Sequence, residues 1–323
     1  MKKTLYVVLA VVAALAIIFV SGPRPDTNAT VTFDPATLGE DLDVYLATSE
    51  AKVDNLVTGA EKEIVWFDPI AKQKTPLSII YIHGFSATKH ETRPVPDNVA
   101  KAVGANLFFT RLQGHGRDGT GLAEATLQGW VNDFVEAVEI GKRIGDRVVI
   151  MATSNGAPIS TWGLSQPEIS ESVAGIVFSS PNFELTGIST SLANIPWAET
   201  ILPALAGSQR SWEPSNELHG KWWTTSYPSR AIFPMTSMLK LVKEIEMSEI
   251  EVPALFFYHP QDKVVVPAEI EKAIEAWGGP TQVSKTETSS DQYNHVIMGD
   301  ILSPENTENA TQTIIAWINA LAD

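Results

Sequence analysis

The sequence predicts an α/β protein built on a buried, mainly parallel sheet. Short apolar runs rich in β-branched and aromatic residues alternate along the chain with longer stretches of helical periodicity, which is the pattern of βαβ units. The apolar runs show no polar alternation, as expected for strands that are covered on both faces. Of the 323 residues, 44% are hydrophobic and 19% are charged, so the chain can build a substantial core.

The first element is an apolar N-terminal segment. Lys2 and Lys3 precede an unbroken apolar run over residues 5–20, and the small residues Ser21 and Gly22 follow it. Positive charges before such a run are typical of an export signal, which is either retained as a membrane anchor or cleaved. In both cases residues from about 24 onward lie outside the cytoplasm. We therefore expect residues 1–22 to be a signal or signal-anchor segment and the protein to be periplasmic or otherwise extracytoplasmic, with membrane attachment through residues 5–20 if the segment is retained.

The remaining elements divide the chain further. We expect a linker and a short helical lead-in at residues 23–58, and the main domain at residues 59–323. Its apolar runs predict strands at 61–68, 77–82, 105–112, 147–151, 173–178 and 254–258, with helical periodicity at 124–144. Between about 183 and 248 no buried strand is evident, and a helix is expected at 234–246. We interpret this stretch as an insertion that covers the sheet.

Composition excludes several function classes. The net charge of −15 repels nucleic-acid phosphates, so no nucleic-acid partner is expected. The absence of cysteine rules out disulfides, thiolate metal sites and thiol nucleophiles. No group of histidines and acids has the spacing of metal ligands, and no glycine-rich phosphate loop is present. The sequence therefore predicts no metal and no nucleotide cofactor.

Small residues flank Ser154 directly after a predicted strand. Ala152 and Gly156 lie two positions before and after it. A sharp turn from a parallel strand into a helix can present a serine above the sheet, and only small neighbours fit that turn. Ser154 is therefore a candidate nucleophile, although a serine in an ordinary turn would give the same short pattern.

Three other segments carry the groups that a serine nucleophile requires. The loop containing Phe85 follows the strand at 77–82 and offers backbone N–H groups, Asp262 follows the strand at 254–258, and His295 comes about thirty residues later. Asp262 could instead be a solvated turn residue, and His295 could be structural. Asp291 competes as the acid, but it lies close to His295 along the chain.

In this order the segments resemble the motifs of the α/β-hydrolase family, whose nucleophile elbow reads G-x-S-x-G and whose triad runs serine, acid, histidine. Ala152 takes the place of the first glycine. The His-Gly-Phe loop and the single insertion are most similar to monoacylglycerol lipases, carboxylesterases and the serine aminopeptidase-like group. The resemblance implies an eight-stranded, mostly parallel sheet with a helical cap at about 183–248. It also implies a catalytic triad of Ser154, Asp262 and His295, and an oxyanion hole formed by the N–H groups of Phe85 and Asn155.

The resemblance further implies a serine carboxylic-ester hydrolase that forms an acyl-enzyme and takes a small ester, with an apolar acyl chain as the leading expectation. The cap tryptophans could line an acyl pocket or form the cap's own core. An amide or peptide hydrolase uses the same triad, and charged cap residues leave that alternative open: Glu199, Arg210, Glu213, Glu217 and Lys221. A non-catalytic envelope binding protein on the same scaffold is the second alternative.

Overall fold

The structure is a computed structural model that describes residues 2–187 and 189–321. Within this part of the chain the strands are β1 (Glu63–Val65), β2 (Thr75–Ile82), β3 (Asn106–Phe109), β4 (Gly145–Thr153), β5 (Val173–Ser179), β6 (Gln209–Ser211), β7 (Ser226–Pro228), β8 (Ala254–Tyr258) and β9 (Thr281–Lys285). The α-helices are α1 (Lys2–Val20), α2 (Leu42–Glu50), α3 (Val95–Val103), α4 (Gly119–Leu122), α5 (Leu127–Ile144), α6 (Gly156–Leu164), α7 (Pro167–Ser170), α8 (Thr190–Ala193), α9 (Ala198–Ala206), α10 (Glu217–Trp222), α11 (Phe233–Val242), α12 (Pro267–Ala276) and α13 (Pro304–Leu321). Short 3₁₀-helices lie at Pro35–Leu38, Ser229–Ile232 and Met247–Glu249.

One sheet organises the molecule, with the strand order β1-β3-β2-β4-β5-β8-β9. Strand β1 is antiparallel to β3, and every other neighbouring pair in this sheet is parallel. The predicted α/β class with a mostly parallel sheet is confirmed. The sheet has seven strands in the described residues rather than the eight that the resemblance implied. The backbone before β1 lies against α5 instead, where the Asn132 side chain accepts from the N–H groups of Thr32 and Phe33.

Both faces of the sheet are covered, which explains why the strands read as continuous apolar runs. In β2, Ile80 and Ile82 belong to the core cluster that includes helices α5 and α6. Ile79 and Tyr81 point to the opposite face and belong to the cluster that includes α3 and α13. Because successive strand residues face opposite ways, a strand buried between two helical layers needs apolar residues at every position.

The insertion between β5 and β8 forms a cap made of α8 to α11 and the β6–β7 hairpin. The helix expected at 234–246 is α11. The β6–β7 pair was missed in the sequence because each strand is only three residues long. Strand β6 is mostly exposed and only Tyr227 of β7 is buried, so neither strand carries an apolar run.

Helix α1 projects from the body with none of its residues buried, and its mean hydropathy is 2.5. By length and composition it could cross a membrane, although a signal sequence has the same properties. Its C-terminal end meets the cap at Trp197. The indole N–H of Trp197 donates to the carbonyl oxygen of Ile18 at 3.2 Å, and its backbone N–H donates to that of Pro23 at 2.6 Å.

Candidate active site

Ser154 lies at the sharp turn between β4 and α6. Strand β4 ends at Thr153 and α6 begins at Gly156, and Ser154 itself has a positive φ of 50°. Serine rarely adopts this left-handed conformation, and such residues concentrate at functional turns. A Cβ at Gly156 would overlap the carbonyl oxygen of Ile82. The crowding gives a physical reason for the small residue at this position.

The structure brings the three predicted side chains together in one buried hydrogen-bonded chain. His295 Nε2 lies 2.9 Å from Ser154 Oγ, and His295 Nδ1 lies 2.8 Å from Asp262 Oδ2. The other carboxylate oxygen of Asp262 accepts from the backbone N–H groups of Val264 and Val265. In this arrangement the imidazole can take the proton of the serine while the carboxylate fixes its orientation.

Asp291, the competing acid, has a different position. Its Oδ2 accepts from the backbone N–H groups of His295 and Val296, at 2.9 and 3.0 Å. Asp291 therefore shapes the loop that carries His295, whereas Asp262 is the carboxylate bonded to the imidazole.

The electrostatic surroundings of His295 favour its cation. Burial alone lowers the pKa of an imidazole, but the charge of Asp262 and its hydrogen bond outweigh burial and raise the pKa of His295 above the ordinary 6.5. Negative charge on Glu91 and Asp291 adds to the same effect. An imidazole that accepts a proton from Ser154 is thus stabilised as it becomes charged.

The two backbone amides predicted as oxyanion donors belong to Phe85 and Asn155, in two loops that meet at Ser154. Neither the Phe85 N–H nor the Asn155 N–H donates a hydrogen bond to another described residue. Asn155 directly follows Ser154, and the Phe85 loop packs closely, since a Cβ at Gly84 would lie 3.1 Å from Ser154 Cβ. Preorganised donors of this kind stabilise negative charge that develops on a carbonyl oxygen.

His83 holds the loop in place. Its Nε2 accepts from the N–H of Leu112 at 3.0 Å, and its Nδ1 therefore donates to the carbonyl oxygen of Gly84 at 2.8 Å. Burial lowers the pKa of His83 to about 4, so the ring stays neutral and keeps both bonds.

Glu91 is a buried carboxyl group in the site that sequence reasoning missed. Its Oε2 accepts from the N–H of Gly84 at 2.8 Å and from the hydroxyl of Tyr81 at 3.1 Å. Burial raises its pKa to about 7. No sequence signal marks it, because a single acid in a polar loop is normally exposed. Its bond to Gly84 fixes the peptide that precedes the Phe85 amide.

A cavity of about 340 Å³ connects the serine to the cap. Ser154, His295 and Glu91 line it, together with a mostly apolar set that includes Phe85, Leu185, Trp212, Trp223, Tyr227, Ile232, Met235, Val296 and Leu302. Two cap tryptophans line the cavity, and a third packs against the main domain rather than forming a core within the cap. Trp212 and Trp223 line the cavity, whereas Trp222 stacks on His90 with ring centroids 3.6 Å apart.

Among residues 2–187 and 189–321, no cluster of three or more histidine and acidic side chains could hold a metal ion. The hydrogen-bonded chain on Ser154 is complete with protein groups alone.

The chain is similar in sequence to a known lipase. A thermostable monoacylglycerol lipase from Bacillus sp. (strain H-257) is 22% identical over 204 residues, which is 63% of this chain and 78% of that protein. No family model matches the chain.

Solved structures give the same picture of the fold. One of two metagenome-derived lipolytic enzymes superposes with a TM-score of 0.66 at 18% identity, covering 82% of this chain and 99% of its own. A soluble variant of the monoglyceride lipase from Saccharomyces cerevisiae, in complex with a substrate analogue, gives 0.60 at 15% identity, with 81% and 91% covered. With its parallel sheet, capped cavity and serine turn, the chain is an α/β-hydrolase-fold protein similar to monoacylglycerol lipases and esterases.

Proposed function

We propose that the protein is a serine carboxylic-ester hydrolase that acts through an acyl-enzyme on Ser154. The observation that carries the proposal is the hydrogen-bonded chain from Ser154 Oγ through His295 to Asp262, with distances of 2.9 and 2.8 Å. The lipases and esterases among its relatives support hydrolysis of esters in particular.

The proposed reaction has two steps. His295 Nε2 takes the proton of Ser154 as Oγ attacks the ester carbonyl, and the N–H groups of Phe85 and Asn155 bind the oxyanion, each contributing about 3 kcal/mol to the transition state. Asp262 stabilises the imidazolium, which then protonates the leaving alcohol. In the second step His295 takes a proton from water, the hydroxide attacks the acyl carbonyl, and Ser154 recovers its proton as the acid leaves.

The cavity favours an apolar acyl chain, as in a monoacylglycerol. Its lining is dominated by aromatic and aliphatic side chains around Ser154, and burying each methylene there is worth about 0.8 kcal/mol. The amide-hydrolase alternative needs the same side chains, and the relatives named above are lipases and esterases. A complete hydrogen-bonded chain on Ser154 argues against the envelope binding protein.

A fluorophosphonate probe and a p-nitrophenyl ester series test the proposal together. The probe should label one site on the protein, and the protein should hydrolyse p-nitrophenyl octanoate faster than p-nitrophenyl acetate. Ser154→Ala should lose both labelling and turnover. Ser165→Ala is the matched control, because this serine lies at the C-terminal end of α6 and, among the described residues, its hydroxyl contacts only the Trp162 carbonyl and the Gln166 side chain. Failure of the protein to label, or labelling that persists in Ser154→Ala, contradicts the proposal. A preference for acetate contradicts only the acyl-chain pocket.

We also propose the domain division expected from the sequence: a signal or anchor at 1–22, a lead-in at 23–58, and a hydrolase domain at 59–323 with its cap at about 183–248. The unburied, apolar α1, which begins with Lys2 and Lys3, supports export with the body outside the cytoplasm. Membrane fractionation of the full chain tests retention, and N-terminal sequencing of the exported protein tests cleavage. Recovery of the body in the cytoplasm contradicts both.

A further inference from the structure

We propose that Arg210 of the cap binds an anionic group of the ester substrate, a carboxylate or a phosphate, in the same cavity as Ser154. This inference deepens the proposed function and rests on it. The monoacylglycerol considered above is neutral, so the inference narrows the substrate to esters that carry a negative charge at a distance from the scissile bond.

Arg210 stands apart from the other arginines of the described chain that are not fully exposed. Arg93 bonds to Asp97 and Glu63, Arg111 to Glu50, and Arg117 to Glu124. No carboxylate of the described residues lies within 4.0 Å of the Arg210 guanidinium. Its Nε atom is buried and has no hydrogen-bond partner in that part of the chain.

The position of Arg210 on β6 places its positive charge at the wall of the cavity that contains Ser154. Arg210 on β6 pairs in register with Tyr227 on β7, and the Tyr227 ring packs edge-on against Phe85 with centroids 5.4 Å apart. Phe85 carries one of the two free amides beside Ser154. Arg210 lines the cavity of about 340 Å³, and it also lines, with Ile232, an adjoining cap cavity of about 160 Å³.

The acids of the cavity do not neutralise this arginine. Glu91 is bonded to the Gly84 N–H and the Tyr81 hydroxyl, and Asp291 is bonded to the backbone of the His295 loop. A guanidinium in a mostly apolar lining is unfavourable unless a hydrogen-bonding anion meets it. Its planar donors match carboxylate and phosphate oxygens in pairs, which makes an anionic substrate group the natural partner.

Matched ester pairs test this proposal by their kcat/KM values. One pair places the charge on the acyl side: the p-nitrophenyl monoesters of dicarboxylic acids from succinate to sebacate, against the same compounds with the distal carboxylate methylated. The other pair places it on the alcohol side: 1-octanoylglycerol 3-phosphate against 1-octanoylglycerol. The protein should prefer the anionic member of one pair by about 10- to 100-fold, the range expected for a charge-assisted hydrogen bond, and that pair identifies the side that Arg210 binds.

Variants of Arg210 test whether this residue causes the preference for the anionic ester. Arg210→Gln should lose the preference for the anionic ester, and an unchanged midpoint in urea unfolding shows that the variant folds. Arg210→Lys should keep part of the preference, because it retains the charge but not the planar donors. Arg230→Gln is the matched control, since Arg230 is an exposed arginine of the same cap and its removal changes the net charge equally.

Equal anionic-to-neutral ratios in the parent protein and in Arg210→Gln, for both pairs, would overturn the proposal while Ser154-dependent ester hydrolysis survives. If no ester is hydrolysed, the proposed function fails. A binding measurement then tests whether Arg210 recognises an anionic group. Calorimetric titration of Ser154→Ala with monomethyl suberate and dimethyl suberate should then show tighter binding of the anion, and the difference should vanish when Arg210→Gln is added. Equal binding of the two compounds also overturns the assignment.

Discussion

Replacing Glu91 by glutamine should change how the stability of the fold depends on pH. The Glu91 carboxyl is 2% exposed, and burial raises its pKa from 4.5 to about 7. The folded protein therefore keeps this proton at pH values where the unfolded chain has released it. Stability from the protonated group is fully present below about pH 4.5 and is lost as the pH rises through 7.

The magnitude follows from the two pKa values. At about 1.4 kcal/mol for each pH unit between 4.5 and about 7, the loss amounts to about 3 kcal/mol by pH 8. Glutamine has the same shape, and its carbonyl oxygen can accept from the Gly84 N–H, but it does not titrate. The unfolding free energy of Glu91→Gln should therefore rise relative to that of the parent protein by about 3 kcal/mol between pH 4.5 and pH 8.

Urea unfolding followed by tryptophan fluorescence at several pH values measures this difference. The exposed acid Glu251 provides the control, since Glu251→Gln should run parallel to the parent protein across the range. If the curves of Glu91→Gln and the parent protein also run parallel between pH 4.5 and 8, the raised pKa of Glu91 is wrong.

Three further predictions concern the site. Asp262→Asn should lower kcat by about 10⁴-fold through loss of the imidazole's orientation and charge partner, and Asp291→Asn should lower it far less; equal losses in steady-state assays would contradict the assignment of the acid. The kcat/KM for esters should fall as the pH drops through a pKa above 6.5, because the base must be neutral and Asp262 raises the pKa of His295; a pH–rate profile flat down to pH 5 would contradict this. Gly156→Ala should destabilise the fold by about 1–3 kcal/mol, because its methyl group would overlap the Ile82 carbonyl; unchanged urea unfolding would show that the turn can relax.

The sheet could be predicted from the sequence because strands that are buried on both faces consist of continuous apolar runs. Strand β8 has the bounds expected for it, and β2 and β4 differ from expectation by a few residues at their ends. The order of serine, acid and histidine could be read in the same way, because each follows a strand of one parallel sheet. Such strands bring their carboxyl ends to the same edge.

The features that sequence reasoning missed depend on tertiary contacts. Glu91 becomes part of the site only because its loop folds back onto Gly84. In the sequence Arg210 was one of several charged cap residues with no feature to distinguish it, and only the pairing of β6 with β7 places it in the cavity. No local pattern encodes the partner of a side chain that lies far away along the chain.

The packing of Trp197 against the end of α1 gives Gly22 a second interpretation. A small residue there suits a cleavage site, but any side chain at Gly22 would also overlap the Trp197 indole. Ser21 and Gly22 separate Val20 from Pro23, whose carbonyl oxygen accepts from Trp197, and these three residue steps span at most about 11 Å. Retention of α1 in a membrane would therefore place the cap residue Trp197 within a few residues of the end of the membrane helix.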